Sequence, residues 1–193
     1  LCQNSVDAIR KSKNEKGIIQ IYIHSNLKQL KIYDNGIGIH PENLPELLKP
    51  FSGDKISDDD TIGEKGVGLT FAMFSCNEFQ IKSGTGQGTS IGTVKEAHNW
   101  KNRNDEEELI LDWKKIDQEF IGTEVLLKKV QDCPLFQLSF EQLKFVLRTK
   151  TAIGQTLPIW GDGRSINVEL VFVDQNGVTH KENIPFKYWL IND

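Results

Sequence analysis

Asn4 and Asp7 stand three residues apart in the opening stretch LCQNSVDAIRKS, where they offer the amide and carboxylate oxygens that hard cations and ordered water take. Cys2, Val6 and Ile9 recur beside them at helical spacing, so Asn4, Asp7 and Ala8 share a face next to an apolar stripe. Taken alone, that face reads as a solvated one. Three glycine motifs follow in order: YDNGIG, with Asp34, Gly36 and Gly38; GEKGVG, with Gly63, Lys65, Gly66, Val67 and Gly68; and IGTE, with Gly122 and Thr123. Each is weak by itself, because Asp-Asn-Gly is a common turn and paired glycines often only supply positive φ. Gly66, Val67 and Gly68 nevertheless open a helix, where free backbone N–H groups and the positive end of the dipole favour an anion.

These residues need a scaffold to bring them together, and periodicity predicts one. After the opening helix, GIIQIYIHSNLKQLKIYDNG gives two alternating runs that form a hairpin, and HPENLPELLKP reads as a short helix stopped by Pro50. The polar, acidic FSGDKISDDDTIGEKG is expected to be a mobile loop closing on the start of a helix, VGLTFAMFSC. NEFQIKSGTGQGTSIGTVKE predicts two strands about a glycine-rich turn, HNWKNRNDEEE a linker with an acidic tip, and LILDWKKI and EFIGTEVLLKKV two more strands. SFEQLKFVLRT is helical with Phe136, Phe140, Leu143 and Leu147 inward, and INVELVFVDQNGVTHKENIPF is a hairpin turning at Asn176-Gly177. The fold expected is an α/β two-layer sandwich, a mixed and mostly antiparallel sheet covered on one face by the helices that carry Asn4 and Gly66. Two units are expected, 1–133 and 134–193, the second a helix plus a hairpin that begins a further domain.

Standing behind an Asn-x-x-Asp-Ala helix, the three glycine motifs in this order resemble the GHKL superfamily of ATPases (gyrase, Hsp90, histidine kinase, MutL). The resemblance spans about residues 1–130 and implies the Bergerat-type nucleotide fold with ATP and Mg2+ as cofactors. In the family the first motif is a Glu, three residues, an Asn and then Asp-Ala. Asn4, Asp7 and Ala8 match, and the Glu, the expected general base, falls immediately before Leu1. With neither Met nor a helix cap at its start, the chain is expected to be a piece of a longer protein.

The resemblance makes Asn4 the magnesium ligand and gives Asp7 a place lining the pocket through water. A purine's exocyclic amine wants a buried carboxylate as acceptor, which fits Asp34, with Gly36 and Gly38 letting the backbone approach the base and Thr123 supporting Asp34 through water. Phosphates would lie on Gly63, Gly66, Val67 and Gly68, with Lys65, Ser52 and Lys55 closing over the γ-phosphate. For Lys55 and Lys65 the plain alternative is surface charge. PFSGDK followed by IGEKGVGLTFA looks most similar to the Hsp90, MutL and MORC branch, which implies lid closure, an ATP-dependent homodimer and a transducer-like second domain; a client protein or a nucleic acid as partner is analogy alone.

Composition is compatible with this and narrows the partners. The 193 residues are 38% apolar and 26% charged with a net charge of −4, which argues against a surface built mainly to grip a nucleic acid backbone. Three cysteines without metal-like spacing read as reduced thiols, and the four histidines are scattered. No run approaches the ~20 apolar residues of a membrane span, so no membrane partner is expected and the location expected is cytoplasmic, or nuclear in a eukaryote. The leading reading is an ATP-hydrolysing conformational switch. A slow or non-hydrolysing nucleotide-binding regulatory module is the alternative, and a histidine-kinase-type phosphotransferase is the weakest, since no phospho-accepting histidine precedes Asn4.

Overall fold

Along the strand Lys16–His24, Ile19, Ile21 and Ile23 are buried while Gln20 between them is exposed, the alternation of a sheet with one covered face and one solvated face. The computed structural model describes residues 1–12, 14–49, 67–103, 108–155 and 165–184. Its elements are α1 (Cys2–Lys11), β1 (Lys16–His24), β2 (Gln29–Asp34), α2 (Leu44–Leu48), α3 (Val67–Phe74), β3 (Cys76–Thr85), β4 (Thr89–Lys95), α4 (Ala97–Lys101), β5 (Leu111–Ile116), β6 (Ile121–Val130), α5 (Phe140–Lys150), β7 (Ser165–Val173) and β8 (Thr179–Asn183). Short 3-10 turns lie at Pro134–Gln137 and Ala152–Gln155.

The eight strands make one sheet in the order β5-β4-β3-β6-β2-β1-β7-β8, and only β1 and β7 run parallel. This is the mixed, mostly antiparallel sandwich expected. The β7–β8 hairpin extends the same sheet along β1.

Register sorts the covered face into transverse lines. Phe172, Ile23, Leu30, Leu127, Phe79 and Val94 form one, and Leu170, Ile21, Ile32, Val125, Ile81 and Gly92 the next. Both are apolar and hold much of the core. The third line, nearest one end of the sheet, runs Val168, Ile19, Asp34, Thr123, Ser83, Ser90 and is polar over its last four members. Because side chains on a strand alternate, a slip of one residue in β2 or β6 would carry this polar run to the solvent side, so the apolar lines fix its place.

The helices cover that face. α1 buries Val6 and Ile9, and Gly17 on β1 makes room for Ile9, whose Cγ2 would be 2.5 Å from a Cβ there. α2 sets Leu48 against Gly92 of β4 in the same way. α5 starts with a capping box, the Ser139 hydroxyl accepting from the Gln142 N–H at 3.3 Å and the Gln142 side chain accepting from the Ser139 N–H at 2.9 Å. Its Leu143 and Leu147 are buried, and Phe140 stacks on Phe172 of β7.

One expectation fails in HNWKNRNDEEE, which reads as a linker. Its first four residues, 98–101, belong to α4, held by tertiary contacts that local composition does not reveal. The Asn77 side-chain Oδ1 accepts from the Asn99 N–H at 3.0 Å, the two side-chain amides join at 3.1 Å, and Trp100 stacks on Phe74.

Candidate functional site

Asp34 ends β2 on the polar line and is 4% exposed. Its carboxylate accepts the Gly36 N–H at 3.0 Å and bonds the Ser5 side chain and the Thr123 backbone amide. None of these partners carries a charge. Burial therefore outweighs them and raises the Asp34 pKa from 3.8 to about 6, the hydrogen bonds from Gly36, Ser5 and Thr123 pulling the other way.

The loop after Asp34 is pinned at successive residues. Asn35 copies a strand edge toward β1, its side chain accepting from the Ile18 N–H at 2.7 Å and donating to the Lys16 carbonyl at 3.0 Å. The Ile37 N–H donates to the Ala8 carbonyl at 3.1 Å, and the Ile39 N–H to the Ser83 hydroxyl at 2.9 Å. α1 requires Gly36, since a Cβ there would lie 2.6 Å from the Ala8 backbone. Gly38, at φ +69°, faces the Gly84 and Gly122 carbonyls, and Gly122, at φ +97°, faces the Asp34 backbone. The glycines expected to clear space for a base thus clear it first for neighbouring backbone.

Ser83 is fully buried and joins three of these pieces. Its hydroxyl accepts from Ile39, donates to the Gly122 carbonyl at 2.9 Å and meets the Thr123 hydroxyl at 2.8 Å. A hydroxyl has one proton, so with that of Ser83 on Gly122, Thr123 donates to Ser83 and keeps acceptor capacity of its own. Ser5 and Ser83 are the residues that sequence reasoning missed. Ser5 follows Asn4 directly, but no pattern announces that its hydroxyl turns to a strand end. Ser90, beyond Ser83 on the same line, is buried with no side-chain partner among the described residues.

On α1, Ser5 and Ala8 therefore meet the Asp34 loop. Asn4, one turn from Ala8 and on the same side, is exposed. Asp7 is buried and lies 3.7 Å from the Arg10 guanidinium, an ion pair within the helix. α3 begins at Val67, and among the described residues a Cβ at Gly68 would meet no atom within 4 Å. Ser52, Lys55, Gly63, Lys65 and Gly66 lie outside the described residues.

The donor set suits a nucleotide. Asp34 is a buried acceptor without a counter-charge among the described residues, and the α3 start offers backbone N–H groups. Among the described residues no group of three or more His, Cys, Asp or Glu could hold a metal, so a cation here would need most of its oxygens from elsewhere, with Asn4 supplying one. Two surface clefts lie away from Asp34, one over β3 and β4 and one beside the β1–β2 turn.

A mostly antiparallel sheet with helices on one face, a buried carboxylate at a central strand end and a glycine-bearing helix start define a nucleotide-binding α/β sandwich. A family model described as histidine kinase-, DNA gyrase B-, and HSP90-like ATPase matches residues 1–127, and the chain belongs to that family. Among solved structures, the Aquifex aeolicus MutL ATPase domain complexed with ADP is similar in fold, with a TM-score of 0.53 and 16% sequence identity over 96% of this chain. The alignment spans 60% of that solved chain. No curated protein matches the sequence.

Proposed function

We propose that this domain binds ATP with Mg2+ at Asp34 and hydrolyses it as the switch of a larger protein. The observation that carries the proposal is the Asp34 carboxylate: buried, held by three neutral donors and lacking a counter-charge, it is an acceptor poised for an exocyclic amine. Thr123, with acceptor capacity left beside it, and Gly36 and Gly38, which fix the loop, support the same pocket. Gly66, Val67 and Gly68 would take the phosphates and Asn4 the magnesium ion, which neutralises phosphate charge when bound. The general base is the glutamate that the family's first motif places before Leu1.

The finer readings rest on the resemblance of PFSGDK and GEKGVG alone: roles for Ser52, Lys55, Gly63 and Lys65, closure over the nucleotide, membership of the Hsp90, MutL and MORC branch, ATP-dependent pairing of two copies, and residues 134–193 leading into a transducer-like unit. Asp7 is proposed to line the pocket through water. Thermal unfolding with ATP, ADP and a non-hydrolysable analogue, with and without Mg2+, tests the proposal. Binding at 100 times the dissociation constant should add about 2.7 kcal/mol of stability. No shift with any nucleotide would overturn it, and phosphate release no faster than from an Asn4→Ala variant would leave a binding module without hydrolysis.

A further inference from the structure

β5 is an edge strand: it pairs with β4 and, among the described residues, with nothing on its other side. Three large apolar side chains are exposed in or just before it, Ile110 at 75%, Leu111 at 36% and Trp113 at 41%. An edge with this much apolar surface is a template for another strand, and the usual guard is a charged residue, here Lys114 and Lys115. The order of the charges turns that guard into a selector. From Ile110 to Ile116 the even positions read Ile, Asp, Lys, Ile on one sheet face, and the odd positions Leu, Trp, Lys on the other.

We propose that β5 pairs antiparallel with β5 of a second copy, centred on Trp113, and joins two sheets edge to edge without nucleotide. In that register Asp112 lies opposite Lys114 of the second copy, twice over by symmetry, Ile110 lies opposite Ile116, and the two Trp113 rings meet. Leu111 faces the stem of Lys115, whose ammonium is turned toward Glu42 at 3.4 Å. The adjacent symmetric registers are excluded by charge, since centring on Asp112 sets that carboxylate against itself and centring on Lys114 does the same with two ammoniums. Registers centred between residues would put the helix layers of the two copies on opposite sides of the joined sheet, which the in-plane alternation forbids for a common covered face. Centring on Trp113 is the alignment that sets Asp112 and Lys114 each against an opposite charge while Lys115 keeps Glu42. The inference concerns the sheet edge and does not depend on the nucleotide reading.

Sedimentation velocity on nucleotide-free protein at about 100 μM should show a dimer in equilibrium with monomer. Asp112→Lys and Lys114→Asp should each weaken it about tenfold or more, because each replaces two attractive pairs by two repulsive ones. The double variant Asp112→Lys/Lys114→Asp should dimerise again, and an equimolar mixture of the two single variants should form a heterodimer. The rescue and the mixture distinguish loss of pairing from loss of folding. A monomer at that concentration, a dimer that neither single variant weakens, or a dimer that forms only with ATP would overturn the proposal.

Discussion

Replacing Asp34 by Asn should stabilise the nucleotide-free domain while removing its affinity for ATP. Burial raises the Asp34 pKa from 3.8 to about 6, so the native state holds this proton more tightly than the unfolded chain by about 2 pH units, or about 3 kcal/mol. For a carboxylate shifted upward, the native state is the one penalised by ionisation. Below about pH 4 both states are protonated and nothing is lost; as pH rises toward 6 the unfolded chain ionises first and stability falls, and above about 7 the full penalty stands. Asp34→Asn keeps an oxygen for the Gly36 N–H and carries no charge to desolvate. Urea unfolding of both proteins should therefore find the variant more stable by up to about 3 kcal/mol at pH 8, with roughly half of that left at pH 5. Calorimetric titration with ATP and Mg2+ should find binding in the parent alone. A variant less stable than its parent at pH 8, or a difference that does not change with pH, would refute the desolvated-carboxylate account; unchanged affinity would refute the contact with the base.

Gly68→Ala adds a methyl group that meets no described residue, so denaturation should show stability unchanged or raised by up to about 1 kcal/mol, while titration shows weaker binding of ATP. Gly36→Ala meets the Ala8 backbone at 2.6 Å and should destabilise the domain by about 1–3 kcal/mol in urea, since α1 must move away from the Asp34 loop. Ser83→Ala leaves the Ile39 N–H and the Thr123 hydroxyl without their shared partner and should cost about 1–3 kcal/mol; in a double-mutant cycle with Thr123→Val the two losses should be less than additive.

The sequence made the sheet and its helices legible because their signals are local. Alternation in β1 and β2, the apolar spacing of Phe140, Leu143 and Leu147 and the Asn176-Gly177 turn each declare their element within a few residues. Asp34, Gly36 and Thr123 were legible as motif members, but the reasons for them were not. That Gly36 answers to Ala8, and Gly122 to the Asp34 backbone, depends on which strands become neighbours, and chain order does not give that. Ser5 and Ser83 were invisible for the same reason: a serine in a helix or strand has no pattern, and its partner is chosen by register between β3 and β6 and by the seat of α1. α4 escaped because a polar five-residue helix held by Asn77 and Phe74 has no periodicity of its own.

The polar line explains why a carboxylate that destabilises its own fold can be kept. Asp34 lies where β2, β6 and the Gly36–Gly38 loop close on one another with glycines, and backbone packed that tightly has little freedom to bend the side chain out to water. Ser5, Gly36 and Thr123 together offset only part of the burial, which leaves the site short of a donor in the free state. A ligand amine that supplies that donor gains more than it would at a solvated carboxylate, because it removes a penalty already present in the protein. The same rigidity carries the effect outward: the Ile37 N–H on Ala8 and the Ser5 side chain on Asp34 tie the carboxylate to α1, so filling the pocket bears directly on the helix that presents Asn4.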